Sequence, residues 1–163
     1  MNIRIAGLVN DSIVDGPGFR FAVFTQGCPH GCPGCHNPQT HDFAGGHDED
    51  TDAIIAKFCA NPLLDGITLT GGEPFCQPLA CAELARAAHA AGLNVWVYTG
   101  FLYEQLLQDA DKRALLENVD VLIDGPFMLS QRTLSMRFRG SKNQRAIDVP
   151  ASLAGGCVVE RDV

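Results

Sequence analysis

The sequence has no run of about 20 apolar residues, the length that a membrane-spanning helix requires. The residues from Met1 onward also lack the long apolar stretch of a signal peptide. Positive charge is scarce: 12 Lys and Arg stand against 19 Asp and Glu, for a net charge of −7. Such a balance disfavours a general surface for nucleic acid or anionic lipid. We therefore expect a cytoplasmic protein that binds neither nucleic acid nor a membrane.

Aromatic residues make up only 7% of the chain, and they form no repeated platform on which bases could stack. No internal repeat or linker is evident either. With 163 residues, 46% of them hydrophobic, the chain is long enough for one domain with a real core. We expect residues 1–163 to form a single domain.

Three cysteines lie close together in the segment Gly27–Asn37. Cys28, Cys32 and Cys35 have C-x3-C-x2-C spacing, and two prolines and three glycines among them predict a loop. Three thiols this close can converge on a soft metal centre. Because the segment has no fourth cysteine, one metal position stays open for a substrate.

The spacing by itself leaves other sites open. Cys28, Cys32 and Cys35 with His36 would make an ordinary structural zinc site. A distant fourth ligand such as Cys76 would instead make a ferredoxin-like electron carrier. A disulfide is disfavoured, because the cysteine count of seven is odd and no secretory segment precedes the loop.

A second motif, Gly71-Gly72-Glu73-Pro74, follows a short strand rich in β-branched residues. Glycines let a ligand approach the backbone, and a carboxylate can pair with an ammonium group. Alone, the motif is equally typical of a strand-to-helix turn. Beside the cysteine loop it predicts a ligand site, and we expect Gly72→Val to block that ligand while sparing the metal.

Apolar patterns predict alternating strands and helices. The predicted strands are Phe19–Thr25, Ile67–Thr70, Asn94–Tyr98, Val119–Ile123 and Ala146–Val149. The predicted helices are Thr51–Ala60, Pro78–Ala91 and Leu102–Leu116, the last broken near Asp109.

This alternation predicts an α/β fold with about five to six parallel strands, too few for a closed eight-stranded barrel. We expect an open partial (βα) barrel. Its ligand end is the C-terminal edge of the strands, where the two motifs meet Thr99 and Asp124. His41–Asp50 is predicted to be a surface loop. Cys59 is predicted to be a core thiol and Cys157 an unligated one.

Taken together and in order, three motifs resemble those of the activating proteins of anaerobic (class III) ribonucleoside-triphosphate reductases. These proteins belong to the radical S-adenosylmethionine (SAM) superfamily. The motifs are the cysteine loop, Gly71–Pro74 and the run Arg139–Arg145, which reads Arg-Gly-Ser-Lys-Asn-Gln-Arg. Asp124–Phe127 resembles a further element of the same group.

The resemblance implies a 4Fe–4S cluster on Cys28, Cys32 and Cys35, with SAM bound to its fourth iron. Gly34 occupies the position where the superfamily's commonest form has an aromatic residue, and the ring of His36 follows the third cysteine instead. The residues implied to contact SAM are Gly34, Cys35, His36, Gly71, Gly72 and Glu73.

The implied activity is that of an oxidoreductase. A reductant such as flavodoxin supplies one electron, SAM is cleaved to methionine and a 5′-deoxyadenosyl radical, and that radical takes hydrogen from a glycine of the reductase. Two alternatives stay open: an activase of another glycyl radical enzyme of the pyruvate formate-lyase type, and a non-enzymatic zinc or iron–sulfur module. The basic run Arg132–Arg145, with Arg139 foremost, is predicted to meet an acidic partner surface or a carboxylate, unless it only closes the sheet edge.

Overall fold

A computed structural model describes all residues, 1–163. Seven strands and five helices form the fold. The strands are β1 (Asn2–Ser12), β2 (Arg20–Thr25), β3 (His47–Asp50), β4 (Gly66–Gly71), β5 (Asn94–Tyr98), β6 (Val121–Asp124) and β7 (Arg145–Asp148). The helices are α1 (Thr51–Cys59), α2 (Pro78–Ala90), α3 (Tyr103–Leu106), α4 (Ala110–Leu116) and α5 (Val149–Gly155).

All seven strands belong to one mixed sheet in the order β3-β1-β2-β4-β5-β6-β7. Only the four central strands, β2, β4, β5 and β6, are parallel to their neighbours. The remaining strands pair antiparallel, so the predicted five to six parallel strands were too many. The reason lies in the connections: short turns and loops, rather than crossover helices, join the outer strands to the sheet.

The N-terminal edge of the sheet departs most from the prediction. β1 was not predicted, and β3 lies inside the predicted surface loop His41–Asp50. β3 reads His-Asp-Glu-Asp and pairs with Asn2–Ile5. A charged strand of this kind is typical of a sheet edge, where charge discourages pairing with other chains.

The two faces of the sheet differ in chemistry, because successive side chains of a strand point to opposite faces. One face packs against helices α1, α2 and α4 and carries apolar residues such as Phe21, Leu69 and Val97. The second face carries Thr70 and Tyr98, and it has a much smaller apolar core of its own around Trp96. This second face is where the cavities described below lie.

Helices α1 to α4 follow the sequence pattern closely, whereas α5 was not predicted and begins at Val149, the last residue of the predicted strand Ala146–Val149. The break predicted in Leu102–Leu116 separates α3 from α4, and the Asp109 side chain caps α4 by accepting hydrogen bonds from two backbone N–H groups. The prediction that Cys59 is a core thiol is wrong. Cys59 is exposed, because α1 turns Thr51, Ile54 and Phe58 toward the core instead. None of the helices combines the length and apolar character needed to span a membrane.

Candidate functional site

A cavity of about 110 Å³ lies at the C-terminal ends of the parallel strands. Cys28, Cys32 and Cys35 line it together with Gly71, Gly72 and Thr99. The structure therefore brings the cysteine loop, the two glycines and the end of β5 to one place, as the sequence predicted. Asp124 does not line the cavity: it is fully buried and paired with Arg145.

A larger cavity of about 320 Å³ continues from the first along the second face of the sheet. The two cavities share five lining residues: Cys35, Thr70, Tyr98, Phe127 and Gln144. The far part of the larger one is bounded by Val14, Asp15, His36, Asn37, Phe138, Arg139 and Gly140. The site thus has a thiol-lined end and a longer, partly polar end.

The cysteine loop is fixed where it leaves β2. The backbone N–H of Gly27 donates to the Thr40 carbonyl at 2.7 Å, and that of Cys28 donates to the His41 carbonyl at 3.1 Å. Further along, the backbone N–H of Asn37 donates to the Cys35 sulfur at 3.4 Å. These hydrogen bonds hold the backbone on both sides of the three cysteines.

All three thiols are free and half-buried. Burial raises the pKa of the Cys28 thiol, so iron must displace a proton there when it binds. Across the whole chain, no group of three or more His, Cys, Asp or Glu side chains converges to hold a single metal ion. A preformed zinc site would need its ligands about 2.3 Å from one point, whereas thiolates of a cluster each bind a different iron. Three free, half-buried thiols on one short loop are the donor set that a 4Fe–4S cluster with one open iron requires.

The other predicted ligands lie elsewhere. Cys76 is absent from both cavities, and although the residue as a whole is exposed, partial desolvation of its thiol raises the pKa to about 11. His36 lines the larger cavity with its ring 5.2 Å from that of Phe127. Gly34 has a left-handed backbone, and a side chain on it would meet Leu129 and Phe127.

Gly71 and Gly72 pack against the chain's own backbone. A Cβ on Gly71 would lie 2.6 Å from the Thr25 nitrogen, and one on Gly72 would lie 2.5 Å from the Gly27 oxygen. The expectation that Gly72→Val would spare the metal is therefore not supported, since the added atoms would strike the base of the cysteine loop. The Gly72 carbonyl accepts no hydrogen bond from the chain and so stays available to a ligand donor.

Glu73 is completely buried and is held by four donors of the chain. Its carboxylate accepts hydrogen bonds from His30 Nε2 at 2.6 Å, Gly100 N at 2.8 Å, Phe75 N at 3.0 Å and the Thr99 hydroxyl at 2.8 Å. Sequence reasoning missed His30, although its place inside the cysteine loop was a signal. A direct contact of Glu73 with SAM stays a prediction.

The basic run divides into two kinds of arginine. Arg145 donates to the buried Asp124 at 2.5 Å and to Glu104 at 2.9 Å, and these bonds raise its pKa. It therefore has the structural role of closing the sheet edge. Arg139 makes no ion pair and lines the larger cavity, so it is free to meet a ligand or partner.

Comparison with known proteins agrees with this geometry. A family model described as a 4Fe-4S single cluster domain matches residues 14–147. The anaerobic ribonucleoside-triphosphate reductase-activating protein of Pasteurella multocida is 37% identical, over 81% of this chain and 89% of its own length. Its namesakes from Vibrio cholerae and Escherichia coli K12 are each 34% identical, over 81% of this chain and 89% and 90% of their own lengths.

The solved structure of QueE from Escherichia coli superposes with a TM-score of 0.47 at 18% identity, covering 61% of this chain and 53% of that one. The sequence matches define first a class, that of single-cluster 4Fe–4S domains. Within this class, the chain belongs to the family of anaerobic ribonucleoside-triphosphate reductase-activating proteins.

Proposed function

We propose that this chain is a radical SAM activase that generates a glycyl radical on an anaerobic ribonucleoside-triphosphate reductase. One observation carries the proposal: three free thiols and the Gly71-Gly72 turn line one cavity, which opens into a larger cavity along the sheet. The names of the relatives support the choice of reductase over another glycyl radical enzyme. The electron would come from an external reductant such as flavodoxin.

In this proposal Cys28, Cys32 and Cys35 hold the 4Fe–4S cluster. When bound, the cluster supplies the electron that cleaves SAM, and the resulting radical takes a hydrogen atom from a glycine of the reductase. The residues of this chain would bind the cluster and SAM, orient SAM and shield it from water. The open partial-barrel form of the sheet is part of the proposal, since both cavities lie against its second face.

In this proposal the two ends of SAM would occupy different parts of the site. The free carbonyl of Gly72 is the acceptor proposed for the SAM amino group. Cys35, which lines both cavities, and the neighbouring Gly34 would meet the sulfonium end, and His36, which lines the larger cavity, would meet the adenosine. Binding in these cavities would take SAM out of bulk water and away from unwanted hydrogen donors.

The test is anaerobic reconstitution followed by iron analysis and by detection of methionine and 5′-deoxyadenosine. We expect cluster assembly and SAM cleavage in the wild type, and a glycyl radical signal by electron paramagnetic resonance when the reductase is added. Cys32→Ala should lose the cluster, whereas the matched control Cys157→Ala, at an exposed thiol away from both cavities, should keep it. One zinc and no iron in the wild type would refute the proposal.

A further inference from the structure

The buried carboxylate of Glu73 links the two motifs of the site. It lies directly after the glycine turn, and its strongest partner, His30, lies between the first two cysteines. Two further donors, Thr99 and Gly100, directly follow strand β5, and the fourth is the backbone N–H of Phe75. Three separate parts of the chain therefore meet at one carboxylate.

The carboxylate has no capacity left for a ligand. An ionised carboxylate offers about four lone-pair sites, and four donors of the chain occupy them: His30 Nε2, Thr99 Oγ1 and the backbone N–H groups of Phe75 and Gly100. Glu73 is also 0% exposed. A ligand ammonium would have to displace one of these donors to reach it.

The ring of His30 is fixed by a hydrogen bond and by an aromatic contact. Its side chain is only 15% exposed, and its ring lies edge-on to Phe101 with the ring centroids 4.6 Å apart. Because a carboxylate is only an acceptor, His30 Nε2 must donate the bond of 2.6 Å. The ring cannot turn without losing both the hydrogen bond and the aromatic contact.

From this arrangement we infer that Glu73 and His30 are positioning residues. Together they clamp the cysteine loop to the glycine turn and the end of β5, and Glu73 does not itself contact SAM. The inference deepens the proposed function and rests on it for the identity of the ligand. The clamp itself is a property of the chain alone.

The test measures SAM binding as the change in the electron paramagnetic resonance spectrum of the reduced cluster, titrated with SAM. His30→Ala and Glu73→Gln each keep the three thiols and should still bind iron. Their apparent Kd for SAM should rise about tenfold, the usual effect of one lost hydrogen bond to a charged group. The double variant should be no worse than either single one. His30→Gln should recover much of the affinity, because its amide can donate to Glu73.

A matched control is His89, which also donates to a carboxylate, that of Asp120 at 2.8 Å, but on the surface. His89→Ala should titrate like the wild type. If Glu73→Gln weakens SAM binding while His30→Ala does not, Glu73 contacts SAM directly and the inference is wrong. The same conclusion follows if the effects of the two variants on SAM affinity add in full. An unchanged spectrum and affinity in both variants would also overturn it.

Thermal unfolding of the metal-free chain separates this inference from the proposed function. The clamp predicts that the two single variants lower the melting temperature non-additively, whether or not the wild type binds SAM. If the wild type fails to bind iron or SAM while this coupling is present, the proposed function fails and the clamp stands. Additive melting shifts would refute the clamp even in a SAM-binding protein.

Discussion

Replacing Gly72 by alanine is the sharpest test of how the site is built. The backbone of Gly72 does not have a positive φ, so alanine fits its conformation and only steric contact opposes the change. The new Cβ would lie 2.5 Å from the Gly27 oxygen and 2.9 Å from the Thr40 oxygen. Both are backbone atoms, and Gly27 leads directly into Cys28, so they cannot move aside without moving the cysteine loop.

The size of the effect follows from this overlap. Adding a methyl group to a tightly packed site costs roughly 1–3 kcal/mol. For a domain of this size, 1 kcal/mol lowers the melting temperature by about 2–4 °C. We therefore expect metal-free Gly72→Ala to melt roughly 2–12 °C below the wild type. After reconstitution it should also hold less iron.

Gly7→Ala is the matched control, because Gly7 lies in strand β1 with nothing within 4 Å of its missing Cβ. It should melt close to the wild type and bind iron fully. If Gly72→Ala behaves like Gly7→Ala in both measurements but binds SAM weakly, the missing side chain makes room for the ligand, and our reasoning about the loop is refuted.

Three further variants test the arginines. Arg145→Ala should lower the free energy of unfolding in urea by roughly 3 kcal/mol, because it leaves the buried Asp124 without its charged partner; a loss below 1 kcal/mol would contradict this. Arg139→Ala should keep its stability and iron but lose glycyl radical formation on the reductase, scored by electron paramagnetic resonance, and normal activation would show that Arg139 is dispensable. The buried Arg20 guanidinium lies over the Trp96 ring and donates to Thr68 Oγ1 and to the carbonyls of Pro17 and Ile67. Arg20→Lys should lower the urea midpoint of unfolding and shift the Trp96 fluorescence, because an ammonium group cannot replace all these bonds; an unchanged midpoint would refute this.

The parts of the fold that the sequence predicted are those that short-range physics determines. The central strands are runs of apolar residues that end in a ligand loop. Asp109 marks the break between α3 and α4, because its side chain caps the start of α4. The cysteine loop and the glycine turn were predicted to meet because the C-terminal ends of parallel strands share one edge. The cavity lined by Cys28 and Gly72 confirms that step.

The parts that could not be predicted depend on contacts distant in sequence. Strand β3 is polar throughout and forms only because Asn2–Ile5 lie beside it. In the sequence His30 is indistinguishable from other polar loop residues, because its partner Glu73 is 43 positions away. The fold brings His30 Nε2 to 2.6 Å from Glu73 Oε1. Cys59 follows a helical apolar pattern, yet the rotation of one residue past Phe58 carries it to the surface.

The turn before β2 and the run Arg139–Arg145 cover part of the second face of the sheet but leave a cavity there. Parallel strands are normally covered on both faces, and here the helices cover one. On the second face, buried Arg20 donates to the Pro17 carbonyl and to Thr68 Oγ1, which ties the preceding turn to the sheet.

Across the cavity, the Asn143 and Gln144 side chains donate to the carbonyls of Pro126 and Gly125, and Gln144 also accepts from the Gly140 N–H. The Asn-Gln pair of the run Arg139–Arg145 therefore acts by shaping a loop. Both loops contribute to the lining of the larger cavity, Val14 and Asp15 from one and Phe138 and Gly140 from the other. A sheet face left polar and partly covered in this way suits a polar ligand such as SAM, and Arg139 lines the same cavity without an ion pair of its own.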